Sequence, residues 1–299
     1  MKPCAFEFLA PKTLAEALSV LWQLVEEEGL AVKLLAGGQS LMPVLNMRLS
    51  TPDVLLDLNG LQGELGDIVI NRQQVHIGAL ARHYQLETHP LIRRHVPVMA
   101  EAERWVGHVA IRSRGTIGGS LVHADPAAEL PLVATLLDGS MILQSKNGCR
   151  TVPAAEFFLT YLMTTVEPAE ILTEIIFPAM PARSGQSIEE FALRHGDFAL
   201  AVAAAQITLD ESGRIRHSRL ALGAMGPTPL DMSDKVAQLE GTRPEAAEIA
   251  ELMADICRTI EPDGDIHADG PYRQDLAAVL SARALTAALQ RAQGWTEMA

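Results

Sequence analysis

The spacing of apolar positions changes period several times along the chain, and each change marks an element. Residues 6–9 form a short apolar run that predicts a strand. Thr13 then opens a Thr-Leu-Ala-Glu capping box, in which a hydroxyl and the Glu16 carboxylate three residues on satisfy free N–H groups at a helix start. Leu14, Ala17, Leu18, Leu21, Leu24 and Val25 follow on one helical stripe, and Gly29 stands where a glycine ends such a helix. Val32 to Ala36 predicts a strand buried against helices. Ser40 predicts a cap for a short helix over 41–48, with Pro43 in its first turn, and Val54 to Leu58 returns as a strand.

From residue 75 the pattern shifts. Val75–Ala79 predicts a strand, and 80–87 and 97–106 predict helices. Residues 107–125, rich in glycine, serine and charge, predict a long functional loop. Asp125-Pro126 predicts an N-cap with proline at the first helical position, opening a helix to about Leu137. Strands at 141–145 and 171–177 follow. Pro178 to Gly185, with two prolines and a glycine, predicts a boundary. Beyond it, three β-like runs at 188–194, 199–209 and 218–225 precede three helical segments near 230–240, 244–260 and 272–292. Strands followed by helices predict a separate α+β domain. Trp22 and Trp105 fall on helical stripes and are expected in the core.

Composition narrows the function classes. A chain of 299 residues suits two domains. With 4% aromatic residues, the core must be built from Ala, Leu and Val. A formal net charge of −13 argues against a nucleic-acid or anionic-membrane surface, because both need clustered Lys and Arg. A phosphate-bearing ligand would then be held by backbone N–H groups. Cys4, Cys149 and Cys257 are far apart and show no metal-ligand spacing, so neither a disulfide framework nor an iron–sulfur cluster on this chain is expected. His76, His83, His89, His95 and His108 form no ligand spacing either. The first residues do not read as a signal peptide, and no apolar run nears the ~18 residues of a membrane span. A cytoplasmic, reducing setting is expected.

Two glycine loops carry the candidate chemistry. Ala36-Gly37-Gly38-Gln39-Ser40 lies between a predicted strand and a predicted helix. Adjacent glycines let backbone approach a ligand closely, and the N–H groups at the helix start suit an anion such as a pyrophosphate. The loop matches neither a Rossmann nor a P-loop spacing, and alone it reads equally as an ordinary strand–helix turn. Arg112 to Pro126 again pairs two glycines with hydroxyl residues, and two backbone cradles on one chain favour a dinucleotide. Arg112 and Arg114 read either as phosphate contacts or as a solvated pair.

The strings KLLAGGQSLMPVLNMRL (33–49) and IRSRGTIGGSLVHADPAAELP (111–131) resemble the FAD-binding medium subunit of molybdenum hydroxylases, the group that includes carbon monoxide dehydrogenase medium subunits and the xanthine dehydrogenase flavin domain. RHGDFAL (194–200) and DIHADGPYR (265–273) resemble its C-terminal domain. The resemblance implies an α+β chain: a two-subdomain FAD-binding fold of the p-cresol methylhydroxylase type over 1–178, divided near 58, then a C-terminal α+β domain of three strands plus helices over 186–292. It implies non-covalent FAD on this chain. It also implies a small subunit with two [2Fe–2S] clusters and a large molybdenum-cofactor subunit, in a dimer of heterotrimers that passes electrons from flavin to NAD or another acceptor.

Carried over by position, Leu34, Leu35, Ala36, Gly37, Gly38, Gln39, Ser40 and Leu41 match the family's first FAD loop. Thr116, Gly118, Gly119 and Ser120 match the second, with Val122 and His123 on the flavin side. Glu129 falls where the family places an acidic residue near FAD. Phe198 matches an aromatic position, tyrosine in some relatives, beside the isoalloxazine; read without the resemblance, it is a core phenylalanine starting a strand. Glu190 falls near a position that is lysine in xanthine dehydrogenase, with the charge reversed. No catalytic residue and no metal ligand is assigned. Two further readings stand beside this one: a nucleotide-binding scaffold subunit that lost flavin, and a free-standing flavin reductase. The intact glycine loops count against the first, and the lack of a clear NAD(P)H-binding residue against the second.

Overall fold

A computed structural model describes residues 2–294. The chain begins with a three-stranded parallel sheet in which Val54–Asp57 lies between Glu7–Leu9 and Val32–Leu35. The helix Leu14–Trp22 starts as expected, with the Thr13 hydroxyl accepting the Glu16 N–H at 3.2 Å. The box does not close, because the Glu16 carboxylate takes the Lys12 N–H at 2.8 Å instead. The helix widens into a π-turn over Gln23–Glu27, and Gly29 ends it at φ 67°. Ala17 and Leu21 from this helix pack on Leu56, Leu58, Leu61 and Leu65. Val32–Leu35 is only half-buried, not buried as the apolar run suggested, because it is an edge strand. Ser40 does not cap: it has helical backbone angles and no capping bond, and Leu41–Asn46 begins instead from the Met42 N–H to Gly38 carbonyl bond.

A second, five-stranded antiparallel sheet runs Ile68–Asn71, Gln74–Gly78, Ile171–Pro178, Ser140–Ser145, Gly148–Pro153. Its two outer strands escape sequence reading for one reason. Each has a single buried position, so no alternation of apolar and polar residues marks it. Residues 107–125 are not one long loop but hold two short helices, Val109–Arg112 and Ile117–His123. Glycines 118 and 119 are tolerated inside the second because Gly118 backs directly onto Ala79. Asp125 caps no helix. It closes a turn by accepting the Ala127 N–H at 2.9 Å, and the helix begins at Glu129 and runs to Leu136, buried along its whole length.

The C-terminal part is a four-stranded antiparallel sheet, Ser184–Phe191, Ala201–Leu209, Ile215–Gly223 and Leu230–Asp231, with the helices Ala246–Cys257 and Gly270–Gln293 on one side. Three strands were expected. The fourth is a two-residue edge hidden at the start of a segment that read as helical. The sheet is buried on both faces, as the four alanines and one valine from 201 to 205 allow. Ile188, Val202, Ala204 and Ala221 join the core that holds Leu132 and Val133, while Ala203, Ala205, Ile207 and Leu222 pack on the long C-terminal helix through Leu280, Ala284 and Ala288. Trp22 and Trp105 are half-buried rather than core, and Trp105 meets the His195 ring edge-on at 5.4 Å.

The closest approach of helix to sheet is at Gly185, where a β-carbon would lie 2.1 Å from the Ala288 carbonyl oxygen. Gly185→Ala is therefore expected to force the helix off the sheet. Overpacking of this kind costs about 1–3 kcal/mol, read as a lower urea midpoint for the apo-protein with an unchanged slope.

Candidate functional site

The two glycine loops, far apart in sequence, are in backbone contact. A β-carbon on Gly37 would stand 2.4 Å from the Arg114 carbonyl oxygen and 2.6 Å from the Gly115 Cα, so only hydrogen fits there. Gly38, at φ 72°, takes the left-handed conformation that turns the chain into Leu41–Asn46. Arg82 straps the junction. Its guanidinium donates to the Arg114 carbonyl and, at 2.7 Å, to Asn59 Oδ1, while the Asn59 amide donates to the Ala36 carbonyl at 2.8 Å. Among the described residues, the N–H groups of Gly37, Gly38, Gln39 and Ser40 donate to no protein acceptor. Gly37, Gly38 and Gln39 are half-buried and Ser40 is exposed, and a run of free backbone donors of this kind can accept an anion.

The second loop differs from what the sequence suggested. Its amides are already spent: Ile117 N–H on Ala81, Gly118 N–H on Ala79, Gly119 N–H on the Thr116 hydroxyl at 3.1 Å, and Ser120 N–H on the Thr116 carbonyl. It is therefore not a second backbone cradle. Gly118 is buried against Ala79, where a β-carbon would fall 2.6 Å from the carbonyl oxygen. Gly119 and Val122 are exposed, and Ser120 and His123 half-exposed, so this helix offers a smooth glycine face and a hydroxyl. Arg112 is not a free phosphate contact. It is held by Glu87 at 3.2 Å and by the Gly107 carbonyl at 3.0 Å. Arg114 keeps an exposed side chain.

Behind the second loop lies a pair that residue spacing did not single out. His83 donates its backbone N–H to the Gly115 carbonyl, its ring would collide with any β-carbon on Gly115, and its Nδ1 is 3.2 Å from the wholly buried Glu103 carboxyl. Burial opposes charge on both groups. It lifts Glu103 above its usual range, a rise that His83 partly offsets. In His83 the same burial is outweighed by Glu103, and the imidazole ends above its ordinary value. Arg82, Asn59, His83 and Glu103 carry no motif of their own; their partners lie 20–32 positions away along the chain, and only folding shows them.

Glu129 and Glu190 come together from different halves of the chain. Burial lifts Glu190 to about 9, with Glu129 adding to the rise, and lifts Glu129 to about 7. Phe198 is 70% exposed, which removes its reading as a core residue. It sits on the loop 194–200, whose Gly196 packs against the His108 ring and the Gly107 carbonyl just ahead of the second glycine loop. Leu34, Leu35, Ala36 and Leu41 line the first loop and are half-buried. Among the described residues no cluster of His, Cys, Asp and Glu could hold a metal, and no helix is long and apolar enough to cross a membrane.

Comparison with known proteins agrees with this arrangement. Residues 4–180 match the FAD binding domain in molybdopterin dehydrogenase, and 186–288 match the CO dehydrogenase flavoprotein C-terminal domain. The chain is 36% identical to the 6-hydroxypseudooxynicotine dehydrogenase complex subunit alpha of Paenarthrobacter nicotinovorans, covering 98% of this chain and 97% of that one. It is 35% identical to the carbon monoxide dehydrogenase medium chain of Hydrogenophaga pseudoflava, covering 97% and 99%. The solved quinoline 2-oxidoreductase of Pseudomonas putida 86 superposes with a TM-score of 0.90 at 34% identity, over 98% of this chain and 99% of the other. The fold and site define a flavoprotein subunit of the oxidoreductase class. The chain belongs to the family of FAD-binding medium subunits of molybdenum hydroxylases, as the four sequence strings implied.

The amides at 37–40 are free, and Gly119 is the exposed glycine of the second loop. Gly37→Ala is expected to push the loops apart and abolish FAD retention. Gly63→Ala, where a β-carbon meets nothing within 4 Å, should leave FAD content unchanged. Flavin absorbance per purified chain checks both.

Proposed function

We propose that this chain holds FAD non-covalently across the junction of its two glycine loops and serves as the electron-transfer subunit of a heteromeric molybdenum hydroxylase. The observation that carries this reading is the strapped backbone contact at Gly37, which brings a loop with four unpaired N–H donors against the start of the second glycine loop. In it, Leu34 to Leu41 hold the pyrophosphate, with the amides of Gly37 to Ser40 as donors. Thr116 fixes the second loop, Gly118 lets its helix back onto Ala79, Gly119 lets the ligand lie close, and Ser120 adds a hydroxyl. Val122, His123, Glu129, Glu190 and Phe198 surround the flavin end, with Phe198 packing on the ring from the C-terminal side. When bound, the flavin supplies the redox chemistry, taking electrons from [2Fe–2S] clusters of a small partner subunit and releasing them to NAD or another acceptor. A large subunit carrying the molybdenum cofactor completes a dimer of heterotrimers. The working units are residues 1–178, divided near 58, and 186–292. A cytoplasmic setting belongs to this reading and is supported by three unpaired thiols.

Three of these assignments can be checked directly. Acid precipitation of the purified chain should release yellow FAD into the supernatant; flavin remaining in the pellet would overturn non-covalent binding. Expressed alone, the chain should hold FAD yet oxidise no hydroxylase substrate, and with its neighbours it should purify with a small and a large subunit. Phe198→Ala should weaken FAD binding about tenfold through lost aromatic packing and area. The apo melting temperature should stay unchanged, since the ring is exposed without ligand. A lowered apo melting temperature with intact FAD affinity would defeat the role given to Phe198.

A further inference from the structure

The seam between the FAD-binding half and the C-terminal sheet contains a carboxyl group with nothing to hold it. Glu190 lies on the strand Ser184–Phe191, two residues from Ile188, on the face that joins the shared core. Its cross-strand partner is Val202, which in turn pairs with Gly223. A β-carbon on Gly223 would sit 3.5 Å from the Pro126 carbonyl oxygen, and the Ala224 N–H donates to that same oxygen at 2.8 Å. Glu190 therefore faces the turn that leads into Glu129. Glu190 is more than nine-tenths buried, and both its carboxyl oxygens are buried without a hydrogen-bond partner. No cation faces it. The charged group opposite is Glu129, and Glu129 is faced by Glu103, Asp125 and His83, of which His83 is already committed to Glu103. Arg112 is paired with Glu87 and, within this group, acts on His83 and Glu103.

Two carboxylates in one buried seam repel each other, and a single retained proton removes the conflict. We propose that Glu129 and Glu190 hold one proton between them across this seam, so that the wall beside the flavin end of the site is a neutral O–H donor rather than a carboxylate. The location of that wall rests on the FAD placement proposed above; the shared proton does not. The direction of the titrations agrees: burial raises both groups, with Glu129 adding to the rise of Glu190 and Glu103 and Asp125 adding to that of Glu129. Because the folded chain keeps a proton that the unfolded chain has lost, stability falls as pH rises from the ordinary carboxyl range towards about 9. The same rise adds a negative charge to the site and opposes a phosphate-bearing ligand.

The test compares the full-length wild type with Glu190→Gln, whose amide copies the protonated acid. Apo-protein melting temperature is followed from about pH 6 to about pH 9. Wild type should lose at least about 5 °C more than the variant over this range, the gap widening steadily with pH. FAD affinity, read by fluorescence titration, should fall about tenfold over the same range in wild type and stay level in Glu190→Gln. Parallel melting curves would overturn the shared proton whether or not FAD binds. Diverging melting curves with pH-independent FAD affinity would keep the proton pair and overturn its place beside the ligand. Absence of FAD binding at every pH would overturn the proposed function and leave the melting curves to decide the pair. Should Glu190→Gln fail to fold, the infrared band of a protonated carboxyl decides. Its presence in wild type at about pH 7 and loss by about pH 9 supports the proposal, and its absence at about pH 7 defeats it.

Discussion

The contact of Gly37 with the carbonyl of Arg114 governs the rest of the site. It is backbone against backbone, so it admits no side chain and little adjustment. A chain stretch that ends the parallel sheet is thereby pinned to one that follows the first strands of the antiparallel sheet, and Arg82 and Asn59 tie the same carbonyls together with side-chain donors. One consequence is an asymmetric groove. The first loop has no internal use for its amides and leaves them free. The second spends its amides on the Ala79–Ala81 backbone and on its own threonine cap. Recognition of phosphate by N–H groups is also the solution open to a chain of charge −13, which has little basic side-chain surface to spare.

The C-terminal sheet acts as a bracket over this junction. Its alanine-rich central strand keeps both faces thin, so that the long helix can press on one side while the other merges with the core around Leu132 and Val133. That double burial fixes two features at the edge of the site. The strand Ser184–Phe191 presents Glu190 towards Glu129, and the loop after it carries Phe198 past His108 and leaves it exposed. A sheet held on one face only could not place either residue with the same constraint, because the seam itself would be free to open.

Beneath the second loop the buried polar groups form a graded set. His83 pairs with Glu103, which keeps one carboxyl oxygen without a hydrogen-bond partner, and supports Gly115 from below. Glu129 is buried but has its own backbone N–H as partner, and Glu190 is buried with none. Desolvation raises all three carboxyl groups, and their mutual proximity adds to the effect for Glu129 and Glu190. In the FAD placement proposed above, acidic side chains so close to an anionic ligand are compatible with it only while they remain largely neutral.

Local chemistry alone determined a good deal of this protein. The Thr13 helix start, the Gly29 stop, the strands at 32, 54, 75, 141 and 171 and the strand-then-helix order after 185 all follow from residue spacing, because each depends on neighbours within a few positions. The two glycine loops and the four matched strings likewise stand out in one dimension. Tertiary structure decided the rest. The outer strands Ile68–Asn71 and Gly148–Pro153 form only because neighbours offer their edges, and Asp125 closes a turn because Ala124 has already taken a left-handed conformation. Whether a loop amide is free or spent, and whether a carboxyl is paired or stranded, depends on atoms tens of residues away in sequence. For that reason Arg82, Asn59, His83 and Glu103 became visible as site residues only once the chain had folded.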